Sequence, residues 1–243
     1  AGHTDNEIPR ETLHLLTEFH EAGVPIVICT GQTLENVKGF LIQGLGNELV
    51  HSGSVSVVYE AGTGVFTPGH GPDTKQLLYE DLDHDVRGVF DDLRARILSD
   101  APEGIRQGCH LQGNEFNVTL KPNFETGSDR ARELIDDALR YELDLLADCV
   151  EGATRPHVRA FYATADPEIA GVLADAGELP DAVADEGAAS GDSADALAFI
   201  PEDVRGVLER VDVAYYEADA AEIASRELNK VVGVQGAFDV LGV

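Results

Sequence analysis

Thr30, Gly31 and Gln32 follow Pro25-Ile26-Val27-Ile28-Cys29, a near-continuous apolar run with no polar alternation. Such a run predicts a strand covered on both faces, as in a parallel sheet. In parallel α/β sheets, ligands bind beyond the carboxyl ends of the strands. A threonine hydroxyl there, beside the free N–H groups of a turn and a helix start, has the chemistry to donate to a phosphoryl oxygen. Gly31 would let a ligand approach the backbone closely. The same hydroxyl could instead cap the following turn, and the residues alone leave both readings open.

Other chemistry-bearing patterns are weaker. Asp81-Leu82-Asp83-His84-Asp85 holds a DxDxD string of the kind that binds magnesium. It precedes a helical run (Val86, Val89, Phe90, Leu93), and an acidic helix start favoured by the dipole is the preferred reading. The eight histidines show no zinc-ligand spacing. Gly44-Leu45-Gly46 lacks the rest of a dinucleotide fingerprint, and neither GxxxxGK[ST] nor GxSxG occurs. Cys29, Cys109 and Cys149 are too few and too far apart for a disulfide framework. A reducing compartment is therefore expected, with Cys29 as a core thiol.

The charge narrows the partners. The chain carries 45 acidic against 17 basic residues, a formal net of -28, and its lysines are Lys38, Lys75, Lys121 and Lys230 alone. A field of that sign repels nucleic acid and anionic membranes, so neither is expected as a partner. Acidity spread over the whole chain fits a halophilic cytoplasm, where at molar salt the Debye length falls to ~3 Å. No apolar run approaches the ~20 residues of a membrane span. A cytoplasmic location follows as the expectation.

The elements that must position Thr30 alternate. Pro9 opens a helix with Leu13, Leu16 and His20, joined by Leu15 and Phe19, on one stripe; Gly23 closes it. After the strand, Leu34, Val37 and Leu41 mark a helix ending near Gly44 to Gly46, and β character returns over 49–59. Helix, strand, helix, strand is α/β logic. Past Gly64, Phe116, Val118 and Leu120 alternate with Asn117, Thr119 and Lys121, a half-buried antiparallel strand. Ile105 to Leu111 is its expected neighbour, with Gly113-Asn114 in the turn. Ser128 starts a long helix, and Val158 to Tyr162 and Val211 to Tyr216 read as further strands. Residues 181–196 are acidic, small and aperiodic, an expected loop. A last helix sets Val231, Val234, Phe238 and Leu241 on one face. An α/β core is thus expected over 1–64 and 226–243, interrupted by an α+β insertion over 65–225.

The stretch IPRETLHLLTEFHEAGVPIVICTGQTLENVKGFL, followed by HSGSVSVVYEAGTGVF, resembles haloacid dehalogenase-like phosphatases of the Cof, archaeal phosphoglycolate phosphatase and sucrose-phosphatase-like type. Their second motif is a strand ending in Thr-Gly or Ser-Gly, and their α+β cap is inserted between the second and third motifs. Leu228-Asn229-Lys230 opening an apolar helix resembles the third motif. The resemblance implies a Rossmann-like parallel-sheet core with an inserted cap. It also implies a magnesium-dependent phosphomonoesterase acting through an aspartyl-phosphate on a small phosphorylated metabolite, such as phosphoglycolate or a sugar phosphate. Thr30, Gly31 and Gln32 would bind the phosphoryl group and Lys230 would neutralise it. His110, Asn117, Lys121 and Arg159, on expected cap strands, would select the substrate.

The chain departs from the family in two places. No DxDGT precedes Ile8, and no GDxxxD follows the helix that Lys230 opens, so the nucleophile and metal ligands are not identifiable and the core reads as incomplete. Ser52 also stands where the family has asparagine before Gly53. The 243 residues are therefore expected to hydrolyse p-nitrophenyl phosphate negligibly and, with a sheet neighbour missing beside Ile26–Cys29, to be marginally stable or associating. The alternative is a non-catalytic, degenerate relative that keeps the phosphate cradle or cap for ligand or partner binding.

Overall fold

A computed structural model describes residues 8–71, 75–78, 82–114, 116–184 and 197–243. The chain divides into two compact units: Ala1–Leu82 with Gly113–Phe116 and Glu227–Val243, and Asp83–Gln112 with Asn117–Arg226. No described helix is long and apolar enough to cross a membrane.

The first unit is mixed α/β. Helix α1 (Arg10–Glu21) leads to strand β1 (Ile26–Cys29), and a helical run over 34–45, α2, follows. The middle of α2, Val37–Ile42, widens to π geometry. Helix α3 (Asn47–His51) then feeds β2 (Val55–Tyr59), and β3 (Gly64–Phe66) and β4 (Lys75–Leu77) complete the sheet. The order is β1-β2-β3-β4, with β1 parallel to β2 and the two later pairs antiparallel. The expected all-parallel sheet is therefore mixed. Because β3 and β4 hydrogen-bond into it, the boundary expected after residue 64 lies later in the chain.

Burial follows strand order. In β2 every residue is buried, and its Ser56 is satisfied by a hydroxyl pair with Thr67 at 2.6 Å. In β1 only Ile26 is buried, while Val27, Ile28 and Cys29 are half-buried. Both faces of β1 are nevertheless packed, Ile26 and Ile28 in one cluster and Val27 and Cys29 against the other, so the expected two-sided cover holds and is only shallower at an edge strand. One face of the pair packs Ile26, Val55, Leu45, Leu49 and Val50, with Leu13 and Leu16 of α1 against them. Leu15 and Phe19, expected on the same stripe, are about half exposed (53% and 50%), because α1 meets the sheet along one narrow line. His20 turns inward to Ser54, its Nδ1 lying 3.1 Å from the hydroxyl.

Helix α11 (Lys230–Leu241) covers the other face and corrects a second expectation. It buries its small residues, Gly233, Gly236 and Ala237, against Val58, Val65 and Leu78. Val231 is left 79% exposed, and Val234 and Phe238 are half-buried beside a largely apolar cleft. Close approach of helix to sheet wins here over burial of the larger side chains, since a side chain at Gly233 would collide with Val58.

The backbone of β1 bears a testable consequence. Parallel pairing to β2 engages alternate residues, so the N–H and C=O groups of Val27 and Cys29 face away from β2. An uncharged edge of this kind favours strand addition. Association that strengthens with protein concentration, and more so at molar salt where the net charge is screened, is expected in analytical ultracentrifugation. A monomer with a sharp cooperative melt at every concentration would contradict it.

The second unit is α+β. Its antiparallel sheet runs β5 (Cys109–Leu111), β6 (Val118–Pro122), β8 (Ala220–Ser225), β7 (Val211–Tyr216). Helices α4 (His84–Asp100) and α5 (Glu103–Gly108) precede it, so the expected strand from Ile105 is helical up to Gly108. The long helix α6 (Ser128–Cys149) buries Leu134, Ile135, Leu139, Leu143 and Leu146, and it packs against β6 and β8. After it come α7 (Arg155–Ala165), α8 (Pro167–Asp175), α9 (Asp181–Ala184) and α10 (Glu202–Leu208). Val158 to Tyr162, expected as a strand, lies inside α7, whose Thr154 cap and Pro156 fix a helix start. The loop expected over 181–196 begins with α9, and its remainder lies outside the described residues. Asp83 and Asp85 flank the start of α4 as the acidic helix start required, whereas Asp81 is outside the described residues.

Candidate functional site

Thr30 leaves β1 at the carboxyl end of the parallel pair. Its N–H donates to the Val58 carbonyl (2.9 Å), and its own carbonyl accepts from Ala61 N–H (3.0 Å). The Thr30 hydroxyl accepts from the Gln32 N–H at 3.1 Å. The turn-capping reading therefore holds, yet it consumes only a lone pair and leaves the hydroxyl hydrogen to donate. Both readings of Thr30 are compatible in one geometry. Gln32 is tied down twice, its carbonyl accepting from Glu60 N–H (3.0 Å) and its side-chain oxygen from Asn36 Nδ2 (2.9 Å). Thr33 caps α2 through the Asn36 N–H.

Gly31 lies between the anchored Thr30 and Gln32. It is not among the glycines with positive φ, so the turn does not demand glycine. Among the described residues no atom lies within 4 Å of where its Cβ would stand, which leaves this backbone open on their side.

The residues after β2 form the second wall, which sequence reasoning overlooked. Glu60 and Ala61 take left-handed conformations (φ 45° and 56°), uncommon for residues with a side chain. Glu60 is buried, and its carboxylate accepts from the Phe116 N–H (3.2 Å). Gly62, at φ 121°, packs its Cα against the Asn229 carbonyl so closely that a Cβ there would overlap it. The signal was the single glycine in Glu60-Ala61-Gly62, indistinguishable in sequence from an ordinary turn.

That contact brings in Lys230. Asn229 caps α11, its side-chain oxygen accepting from the N–H groups of Val231 (2.9 Å) and Val232 (3.2 Å), and Lys230 is the first helical residue. Burial raises the Cys29 thiol pKa and the positive charge of Lys230 opposes the rise, which places that charge within reach of the residue before Thr30. The Ala61–Thr30 hydrogen bond and the Gly62–Asn229 contact thus bring Thr30, the 60–62 loop and the start of α11 to one end of the sheet. Ser52 and Gly53 do not join them: they turn the chain into the amino end of β2, with Ser52 Oγ donating to the Leu49 carbonyl.

The four residues expected to select substrate have separate partners in the second unit. His110 stacks on Phe124 with centroids 5.3 Å apart, and faces Lys121 across β5 and β6. Lys121 pairs with Asp219 at 3.3 Å. Asn117 is buried, and its carbonyl accepts from Arg94. Arg159 stands on helix α7, where a strand was expected, and bridges Asp144 (2.7 Å) and Glu178 (2.8 Å). The sequence reading put Arg159 on a sheet; its two ion pairs tie α7 to α6 and to the segment after α8.

The described residues contain no group of three or more His, Cys, Asp or Glu side chains able to hold a metal ion.

No family model matches the chain, and no curated protein matches it. One solved structure, a protein of Eubacterium rectale provisionally named a phosphatase, aligns with 97% of this chain and 70% of its own. Its identity is 12% and its TM-score 0.40, a likeness too distant to fix fold or activity.

Proposed function

We propose that the corner formed by Thr30, Gly31, Gln32 and Lys230 binds the phosphoryl group of a small phosphorylated metabolite. On this reading the chain derives from a haloacid dehalogenase-like phosphomonoesterase. The supporting observation is a hydroxyl hydrogen free to donate at the sheet end to which the Gly62–Asn229 contact brings the start of α11, where Lys230 stands. Thr30 would donate to a phosphoryl oxygen, the exposed backbone at Gly31 would admit it, and Lys230 would neutralise it. An enzyme of that family would take phosphoglycolate or a sugar phosphate and use magnesium. The described residues supply neither that ion's ligands nor an identified nucleophile, so no chemical step is assigned to them.

Titration of the 243-residue chain with inorganic phosphate, followed by amide NMR at low salt, tests this. Shifts centred on residues 30–32 and 229–232 are expected. A hydrogen bond to a charged group is worth about 1.5–3 kcal/mol, so Lys230→Ala should weaken binding roughly 10- to 100-fold. Binding unchanged in Lys230→Ala and Thr30→Val, or shifts confined to the second unit, would overturn the reading.

A further inference from the structure

Helix α6 carries a carboxyl in the wrong medium. Glu142 is wholly buried among leucines on the side that packs against β6 and β8. Neither of its side-chain oxygens has a hydrogen-bond partner among the described residues. A buried ion survives only when paired and hydrogen-bonded.

Among the described residues the surroundings offer no such pairing. From β8 the group whose charge reaches it is Glu222, of like sign, whose carboxylate already accepts from Thr119 Oγ1 of β6 at 2.8 Å. From β5 comes the Cys109 thiol, pushed up to about 11 by burial and then by Glu142. On α6 itself the neighbour is Tyr141, raised by burial, by Asp100 and then by Glu142. The cations of the adjoining helices are engaged elsewhere or point to solvent. Arg94 of α4 donates to the Asn117 carbonyl and Arg96 lies near Asp148 (3.9 Å). On α5 Arg106 is exposed, while Arg155 and Arg159 of α7 hold Asp144. Desolvation first, and Glu222 second, raise the Glu142 carboxyl well above its ordinary value.

We propose that Glu142 is a proton-operated latch in the second unit: neutral, it closes the interface between α6 and the antiparallel sheet, and losing its proton loosens that interface. The folded form binds this proton more tightly than the unfolded chain does. Stability is therefore fully present below the ordinary glutamate value of about 4.3 and falls as pH rises from there. The loss is complete once pH passes the raised folded value.

Urea unfolding of wild type and Glu142→Gln, monitored by circular dichroism from pH 4.5 to 8.5 at fixed salt, isolates the latch from other titrations. Relative to Glu142→Gln, the wild-type unfolding constant should climb with pH, by up to about tenfold per unit across the window. Parallel profiles would overturn the proposal. If Glu142→Gln does not fold, carboxyl-carbon NMR of glutamate-labelled wild type decides instead. One folded-state glutamate should keep the protonated shift after the others have ionised, and all glutamates ionising together would sink the idea.

Discussion

Gly62→Ala is expected to destabilise the protein by about 3 kcal/mol or more, and to weaken phosphate binding beyond what lost folding explains. Two effects add at this position. The backbone sits at φ 121°, which side-chain-bearing residues rarely adopt, and strain there costs on the order of 1–3 kcal/mol. The new methyl would also overlap the carbonyl of Asn229, a backbone atom held by the hydrogen bond from Gly233 N–H (2.9 Å). A side chain could rotate away, but a helix cap cannot. Relief requires the start of α11 to move, carrying Lys230 from the end of β1. Urea denaturation gives the stability cost, and phosphate titration under conditions where the variant remains folded gives the second effect. A variant that melts with wild type, or that binds phosphate equally well, would show that the 60–62 loop does not set the position of Lys230.

Arg159→Leu should cost about 3 kcal/mol and leave phosphate binding unchanged. The guanidinium is largely buried, with 16% of its side-chain surface exposed, and spans Asp144 and Glu178. Removing one member of a buried ion network leaves uncompensated charge behind, typically a loss of 3–5 kcal/mol. Here Arg155 retains a bond to Asp144 and Arg140 retains one to Glu178, which places the expected loss at the lower end. Chemical denaturation and phosphate titration of one preparation separate a structural role from a substrate role. Unchanged stability with weakened phosphate binding would return Arg159 to the substrate-selecting set that the family resemblance implied.

Local patterns were legible where one element suffices. The apolar run before Thr30 announced a strand and Gly31 its end; alternation through Val118 and Leu120 announced β6. Arg155 to Ala165 misled because Val158, Phe161 and Tyr162 are β-prone residues, yet they lie on the buried side of a helix packed against α6. The last helix misled for the opposite reason. Its large residues suggested the inner face, but the sheet accepts it at a distance only Gly233, Gly236 and Ala237 allow.

The sequence by itself determined the strand into Thr30, the alternation of helix and strand around it and the acidic surface, because each is a property of consecutive residues. Tertiary structure alone decided that β1 lies at the sheet edge, that Gly62 meets Asn229 and so sets Lys230 near Thr30, and that Glu142 lies unpaired beneath a sheet. Residues 62 and 229, and 142 and 222, are far apart in the chain, and no short-range preference encodes their meeting. Packing the whole chain brings them together, and packing fixes what Thr30 can touch.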